Sequence, residues 1–126
     1  MPARTPADTD RLVIEALNAG DVETALAFYE PGATFVHEPG TAATGLEAIR
    51  EVLNGFLALQ PRMTIAVVQV AEADEVALLC SRWTLTGTGP DGTPVELAGQ
   101  GAEVVRRQAD GTWKFVIDNP FAGAGS

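Results

Sequence analysis

The chain has 126 residues, of which 46% are hydrophobic, and its 17 acidic and 8 basic side chains give it a formal charge of −9. A chain of this length buries one core, so we expect a single domain over residues 1–126 with its core in about 9–121. The negative charge repels phosphate backbones and anionic lipids, which argues against nucleic-acid and membrane partners. No apolar run approaches the length of about 20 residues that spans a bilayer, and residues 1–10 contain no apolar signal segment. We therefore expect a cytoplasmic protein.

The first half of the chain has the pattern of three helices. Residues 5–20 begin with a Thr-Pro-Ala-Asp cap and continue as an apolar stripe that ends at a glycine. Residues 21–30 predict a second, shorter helix, which would contain Tyr29. A short strand over 34–37 then precedes a third helix, for which the Thr-Gly-Leu-Glu sequence at 44–47 has the composition of a capping box. Three helices should thus come before the main sheet.

The second half has the pattern of consecutive hairpins. Short Gly- and Asp-containing segments separate four runs rich in β-branched and aromatic residues, which we predict as strands over about 63–73, 76–88, 93–108 and 113–118. A helix-rich half followed by hairpins predicts an α+β fold in which the helices cover one face of a curved antiparallel sheet. A curved sheet closed by helices forms a cone, and the inside of a cone favours an apolar pocket.

Two motif matches and the single cysteine carry no cofactor or metal prediction. The Gly-Thr-Gly-Pro-Asp-Gly sequence at 87–92 fits a dinucleotide-binding pattern, but an extended run follows it where a helix would have to hold the phosphates. His37-Glu38 begins like a zinc-protease helix, yet the chain has no second histidine to complete the site. Cys80 has no partner for a disulfide and lies beside leucines, which indicates a core thiol. We predict no cofactor and no metal.

Titratable residues inside apolar strand patterns are the candidates for chemistry. His37 and Glu38 end the strand that follows the second helix, and Glu103 alternates with Leu97 and Val105 along another predicted strand. If both strands line one cavity, the chain has the proton-handling groups that acid/base catalysis needs. The alternative for Glu103 is an outward position paired across the sheet with Arg82, and the alternative for the other two is a solvated strand end.

Several segments resemble ketosteroid isomerase homologues, which belong with SnoaL-like polyketide cyclases to the nuclear transport factor 2-like superfamily. The resemblance extends over about residues 9–121 and rests on the amino-acid sequences of four segments, 17–21, 33–39, 45–50 and 110–113. It implies an α+β fold with a cone-shaped, curved antiparallel sheet, a cystatin-like roll, packed against three N-terminal helices and enclosing a pocket. This superfamily contains isomerases, cyclases and non-catalytic members, so the resemblance predicts the fold more strongly than the activity.

The resemblance also implies catalytic roles. The isomerases carry a general-base carboxylate directly before a proline. The local sequence Glu38-Pro39 matches this pattern, whereas an alignment without a gap from residues 33–34 places the base at His37. Because neighbouring strand residues point to opposite faces, only one of the two should enter the cavity, and the sequence leaves open which one does. Glu103 falls where the family has a protonated acid that donates to an oxyanion. The tyrosine that is the main oxyanion donor of the isomerases is replaced by Val13.

The expected function is therefore a cofactor-independent isomerase or cyclase that acts on a small apolar or aromatic carbonyl compound. Substrate contacts are expected from five further residues, Val13, Phe35, Phe56, Trp83 and Asp118. The alternative is a ligand-binding or dimerisation module with the same fold and no chemistry. In either case the resemblance implies a homodimer that pairs through the sheet. The small, Gly-rich tail from residue 122 is expected to fray.

Overall fold

A computed structural model describes residues 2–123, so the last three residues of the tail that was expected to fray lie outside it. The described chain contains, in order, α1 (Pro6–Asn18), α2 (Val22–Leu26), β1 (Tyr29–Glu38), β2 (Thr41–Thr44), α3 (Leu46–Leu57), β3 (Arg62–Ala73), β4 (Val76–Thr88), β5 (Pro94–Arg107) and β6 (Trp113–Asn119). The six strands form one sheet in the order β2-β1-β6-β5-β4-β3. The predicted α+β architecture is confirmed.

The sheet is curved, unclosed and mixed. Strands β3 to β6 pair as three successive antiparallel hairpins, as their turn composition predicts. β1 instead pairs in parallel with β6, so the sheet is not antiparallel throughout. The reason is topological: β1 and β6 are separated by most of the chain, and a parallel pair requires such a long connection.

The helices cover the concave face of the sheet. α1 begins as the sequence predicts, with the Thr5 hydroxyl accepting a hydrogen bond from the Asp8 amide, and its apolar stripe packs toward the sheet. Fully buried side chains such as Leu53 of α3 and Phe115 of β6 fill the space between the layers. None of the described helices is long and apolar enough to cross a membrane.

Three local predictions are wrong. α2 ends at Leu26, and Tyr29 is the first residue of β1, because the sheet captures a segment that helical spacing alone assigns to the helix. The predicted capping box does not form. Thr44 belongs to β2, where its hydroxyl pairs with that of Thr34, and α3 starts from Gly45 at a positive φ of 92° without a side-chain cap. Cys80 is half-buried on the convex face of β4 and is not a core thiol.

β-Bulges in β1, β3 and β6 interrupt the regular pairing, and those in β1 and β6 lie beside predicted site residues. In β6, Val104 is opposite Ile117 while Val105 is opposite Phe115, so Val116 is an extra residue. In β1, His37 is the extra residue between the pairs made by Val36 and Glu38 with β2. Each bulge interrupts the alternation of inward and outward side chains beyond it.

Candidate functional site: an acidic, aromatic-walled cavity

A cavity opens between α1, α3 and the concave face of the sheet. The cavity has a volume of about 60 Å³, which suits a small ligand. Its lining combines aliphatic and aromatic side chains with a few polar ones and consists of Asp10, Val13, Ile14, Leu17, Tyr29, Phe35, Leu53, Phe56, Met63, Ile65, Ser81, Trp83, Leu85, Leu97, Glu103, Asp118, Pro120 and Phe121.

The structure brings six of the eight predicted site residues to this cavity. Glu103 and all five residues predicted to contact substrate, Val13, Phe35, Phe56, Trp83 and Asp118, belong to its lining. His37 and Glu38 do not. Both lie beyond Phe35, at the end of β1 next to the hairpin with β2, where His37 is half-buried and Glu38 is exposed. The structure therefore does not bring them together with Glu103 in this cavity.

Glu103 is a buried acid on the concave face of β5. Its side chain is 2% exposed, which excludes the outward ion pair with Arg82. The Ser81 hydroxyl donates a hydrogen bond of 3.2 Å to Glu103 Oε2, and the absence of a side chain at Gly101 leaves room for both groups. Burial, followed by the nearby Asp10 carboxyl, raises the pKa of Glu103 to about 11. Glu103 is therefore a neutral carboxylic acid at neutral pH.

Asp10 is a second buried acid and reaches the same point from α1. Its side chain is 1% exposed, and burial raises its pKa. Asp10 Oδ2 and Glu103 Oε1 receive no hydrogen bond from a conventional donor in the described chain, yet the two carboxyl groups are close enough to bond to each other. One proton held between them satisfies both oxygens, because like-charged carboxylates at such a distance do not both ionise. The hydrogen bond between the two groups lowers the pKa of Asp10 and raises that of Glu103.

Asp118 is the third acid, and it reaches the cavity because of the bulge at Val116. Simple alternation from Phe115 would turn Ile117 inward and Asp118 outward, but the extra residue places Asp118 opposite Glu103. The Tyr29 hydroxyl donates a hydrogen bond of 2.6 Å to Asp118 Oδ2. Although part of Asp118 touches solvent, loss of hydration raises the pKa of its carboxyl to about 7, against the lowering effect of the Tyr29 hydrogen bond.

The remaining walls are apolar and aromatic. The Trp83 indole lies against Gly99, donates a hydrogen bond of 2.6 Å from Nε1 to the Pro120 carbonyl and meets Phe121 edge to face. On the opposite side, the Phe35 ring lies 6.2 Å from Phe56 between ring centres. The lining described by the structure contains no lysine, arginine or histidine, so its only ionisable groups are the three acids and Tyr29. Such a cavity is acidic within low-dielectric walls.

The family model of the SnoaL-like domain matches residues 11–116 of the chain. The chain belongs to the SnoaL-like family. No curated protein gives a significant match.

Solved structures show the same fold. A ketosteroid isomerase-like protein from Erwinia carotovora atroseptica superposes with a TM-score of 0.79 at 20% identity, covering 89% of this chain and 88% of its own. A proposed dehydratase of the NTF2-like family from Streptomyces avermitilis has a TM-score of 0.76 at 19% identity, with 89% of each chain covered. A protein from Catenulispora acidiphila in complex with S-DNPA has a TM-score of 0.74 at 25% identity and covers 89% and 86%. The NTF2-like fold is thus shown.

Sequence reasoning missed three polar residues of this SnoaL-like site. Asp10 precedes Val13 and Leu17 by three and seven positions, so an acid stands in line with the apolar stripe of α1. Ser81 alternates with Leu79 and Trp83 on the inward face of β4. Both signals are visible in the sequence. Tyr29 was missed because the segment around it was assigned to a helix.

Proposed function

We propose that this SnoaL-like protein is a small-molecule enzyme that isomerises or cyclises an apolar carbonyl compound by acid/base catalysis. The observation that carries the proposal is a pair of facing acids with different protonation states inside one apolar cavity. Glu103 has a pKa of about 11 and Asp118 a pKa of about 7, although their carboxyl groups stand opposite each other on adjacent strands. Environments that separate the pKa values of neighbouring acids favour an assignment of donor and acceptor.

The two acids take complementary roles in this reaction. Asp118 ionises near neutral pH and accepts a proton from the carbon next to the substrate carbonyl, then returns it to another position. Glu103 keeps its proton and donates a hydrogen bond to the carbonyl oxygen as negative charge develops on it. The aromatic walls hold the apolar part of the substrate and exclude water, which strengthens both interactions. Tyr29 positions Asp118 and limits the rise of its pKa.

The catalytic roles predicted for His37 and Glu38 stay predictions. They are tested by comparing turnover of His37→Gln and Glu38→Gln with that of Asp118→Asn, once a substrate is in hand. Under the proposal, Asp118→Asn lowers kcat by about a hundredfold or more, whereas the two β1 variants change it little. If kcat falls only in the two β1 variants, the general base is His37 or Glu38 and not Asp118.

Phenols that mimic an enolate test the role of Glu103 without knowledge of the substrate. Small phenols of graded acidity are titrated into the wild type and into Glu103→Gln, with Glu51→Gln as a control that removes an exposed carboxylate of α3. We expect wild type and Glu51→Gln to bind alike and Glu103→Gln to bind more weakly, since an amide donates a weaker hydrogen bond to an oxyanion than a carboxylic acid does. Equal or negligible binding by all three proteins would remove the catalytic assignment.

A non-catalytic ligand-binding protein is the second candidate, and Val13 favours it. The isomerases that the sequence resembles use a tyrosine at this position as an oxyanion donor, and Val13 lines the cavity without a polar group. Losing one such donor costs on the order of a hundredfold in rate. The C. acidiphila relative holds S-DNPA, which is compatible with binding alone. Tight ligand binding by wild type and Asp118→Asn, with no turnover by either, would favour this candidate.

We also propose that the protein forms a homodimer through the convex face of the sheet. Four cross-strand neighbours form an apolar row on this face, Ala71, Leu78, Val104 and Ile117. Leu78 is 45% exposed and Ile117 is 42% exposed, with the half-buried Val104 between them, so the row presents a contiguous apolar strip to solvent. Burial of this row against a second copy would remove it from water. Light scattering that shows only monomer at micromolar concentration would contradict the proposal.

A further inference from the structure

We infer that the cavity takes a ligand with a positively charged nitrogen, so that the substrate is an amine-bearing carbonyl compound whose ammonium group is anchored by Asp10. This inference deepens the proposed function, on which it rests for the carbonyl half of the ligand. Its own basis is the imbalance of ionisable groups in the cavity, whose described lining has three carboxyl groups and no lysine, arginine or histidine.

Two unpartnered oxygens mark the anchoring point. Asp10 Oδ2 and Glu103 Oε1 are both buried, both belong to residues that line the cavity, and neither accepts a hydrogen bond from a conventional donor in the described chain. An ammonium group carries three donors and can satisfy both oxygens at once. Without a ligand, the proton held between the two carboxyl groups serves that purpose.

Anchoring the amine on Asp10 also prepares Glu103 for its proposed role. In the empty cavity the Glu103 proton is directed toward Asp10. Once an ammonium group donates to Asp10, the Glu103 hydroxyl is free to turn toward a carbonyl oxygen of the same ligand. Amine recognition and hydrogen bonding to the carbonyl are therefore coupled through one pair of acids. Asp10 acts in this scheme as a binding residue that touches the ligand.

The surroundings favour an organic cation over a metal ion or an anionic substrate. The described residues contain no group of three histidine, cysteine or acidic side chains arranged to hold a metal. Aromatic rings of Tyr29, Phe35 and Trp83 line the cavity, and aromatic faces attract organic cations. The formal charge of −9 attracts cationic ligands to the protein and repels phosphorylated or carboxylated ones.

Benzylamine and benzyl alcohol form a matched pair of probes, since they share a shape and differ in charge at neutral pH. We expect calorimetry near neutral pH to give the amine an affinity about tenfold to a hundredfold higher in the wild type, because charge-assisted hydrogen bonds are the stronger kind. Asp10→Asn should abolish this preference. The surface control Glu51→Gln should keep it.

The pH dependence keeps the inference testable if Asp10→Asn fails to fold. The groups that face Asp10 are Glu103 from β5, Asp118 from β6 and Tyr29 from β1. Acidification protonates Asp10 and Asp118, so amine affinity of the wild type should fall while alcohol affinity stays constant. Equal affinities for the two probes, or an amine preference that survives in Asp10→Asn, would overturn the inference.

The same experiment separates this inference from the proposed function. If phenols bind through Glu103 while benzylamine gains nothing over benzyl alcohol, the acid/base site stands and the amine anchor is wrong. If benzylamine is preferred through Asp10 while phenol binding ignores Glu103, the cavity is an amine site and the oxyanion role fails.

Discussion

The two faces of the sheet reverse the usual distribution of polar and apolar residues. On the concave face, where apolar side chains are expected, Glu103 and Asp118 stand opposite each other beneath α1. On the convex face, the neighbours of these two acids in the chain, Val104 and Ile117, form part of the apolar row. Burying an acid and exposing an aliphatic side chain both cost stability, and both occur here on adjacent strands.

The difference indicates two separate functional surfaces. An enclosed acid costs free energy through lost hydration, which a fold tolerates where the acid binds or transforms a ligand. An exposed apolar row forgoes the stabilisation that burial would give in the monomer, and this favours association. Under the two proposals, the concave face binds the ligand and the convex face forms the dimer contact. Variants on one face should leave the properties of the other unchanged.

The largest expected effect is on the pH dependence of stability in Glu103→Gln. In the folded protein Glu103 keeps its proton up to a pKa of about 11, whereas an unperturbed glutamate has a pKa of 4.5. Between pH 4.5 and about 11, the folded state thus holds one more proton than the unfolded state. The stability that this proton contributes is lost as pH rises through that range. The free energy of unfolding of the wild type should fall by up to about 1.4 kcal/mol per pH unit.

Glu103→Gln should remove this slope and be more stable than the wild type at alkaline pH. Urea unfolding between about pH 8 and 9 measures the effect above the pKa of Asp118. Parallel curves for the wild type and Glu103→Gln would show that Glu103 ionises in the folded state and is not enclosed as described.

Gly101→Ala should give the next largest effect, a loss of about 1–3 kcal/mol in the free energy of unfolding. A Cβ atom at Gly101 would lie 2.5 Å from Glu103 Oε2 and 2.7 Å from Ser81 Oγ, so the buried hydrogen bond would have to move. Gly32→Ala is the matched control, since a Cβ there meets nothing within 4 Å. Equal stability of the two variants would mean that the Glu103 carboxyl is not packed against β5.

Tyr29→Phe should cost about 1 kcal/mol, the usual value of one hydrogen bond at a partly buried site. It should also move the pKa of Asp118 above about 7, since the Tyr29 hydroxyl holds that pKa down. Denaturant unfolding and a carbon NMR titration of Asp118 measure the two effects. Thr64→Val is the control, because it removes a hydroxyl bonded to the exposed Thr84 and should cost less. An unchanged Asp118 titration would contradict the proposed contact.

Leu78→Glu should have the smallest effect on the folded monomer and should act only on the convex face. The substitution places a charge in the exposed apolar row, so we expect dissociation to monomer in light scattering and a change of less than about 0.5 kcal/mol in monomer stability. Benzylamine binding should persist. A Leu78→Glu protein that keeps its dimeric mass would place the contact elsewhere, and loss of ligand binding would show that the two faces are coupled.

The sequence predicts the sheet of hairpins because alternation holds throughout β4 and β5, and the same alternation favours an inward Glu103 without excluding the pair with Arg82. Alternation fails at the bulges of β1 and β6. An unpaired residue at Val116 turns Asp118 inward, and an unpaired residue at His37 leaves its orientation undetermined by pattern. Tyr29 was assigned to a helix because its pairing partner, Phe115, lies far away in sequence. The pairing of Tyr29 is long-range, which local patterns do not encode, whereas the two bulges lie within hairpins and break the alternation on which strand patterns rely.

The protonation state of Glu103 tests the central claim most directly. With the side-chain carboxyl carbons labelled with ¹³C, the Glu103 resonance is assigned by its absence in Glu103→Gln and followed through a pH titration. The structure predicts a resonance at the position of a neutral carboxylic acid throughout the neutral range, with ionisation only as pH approaches about 11. A Glu103 resonance at the carboxylate position at neutral pH would contradict the buried, neutral acid on which the proposed chemistry depends.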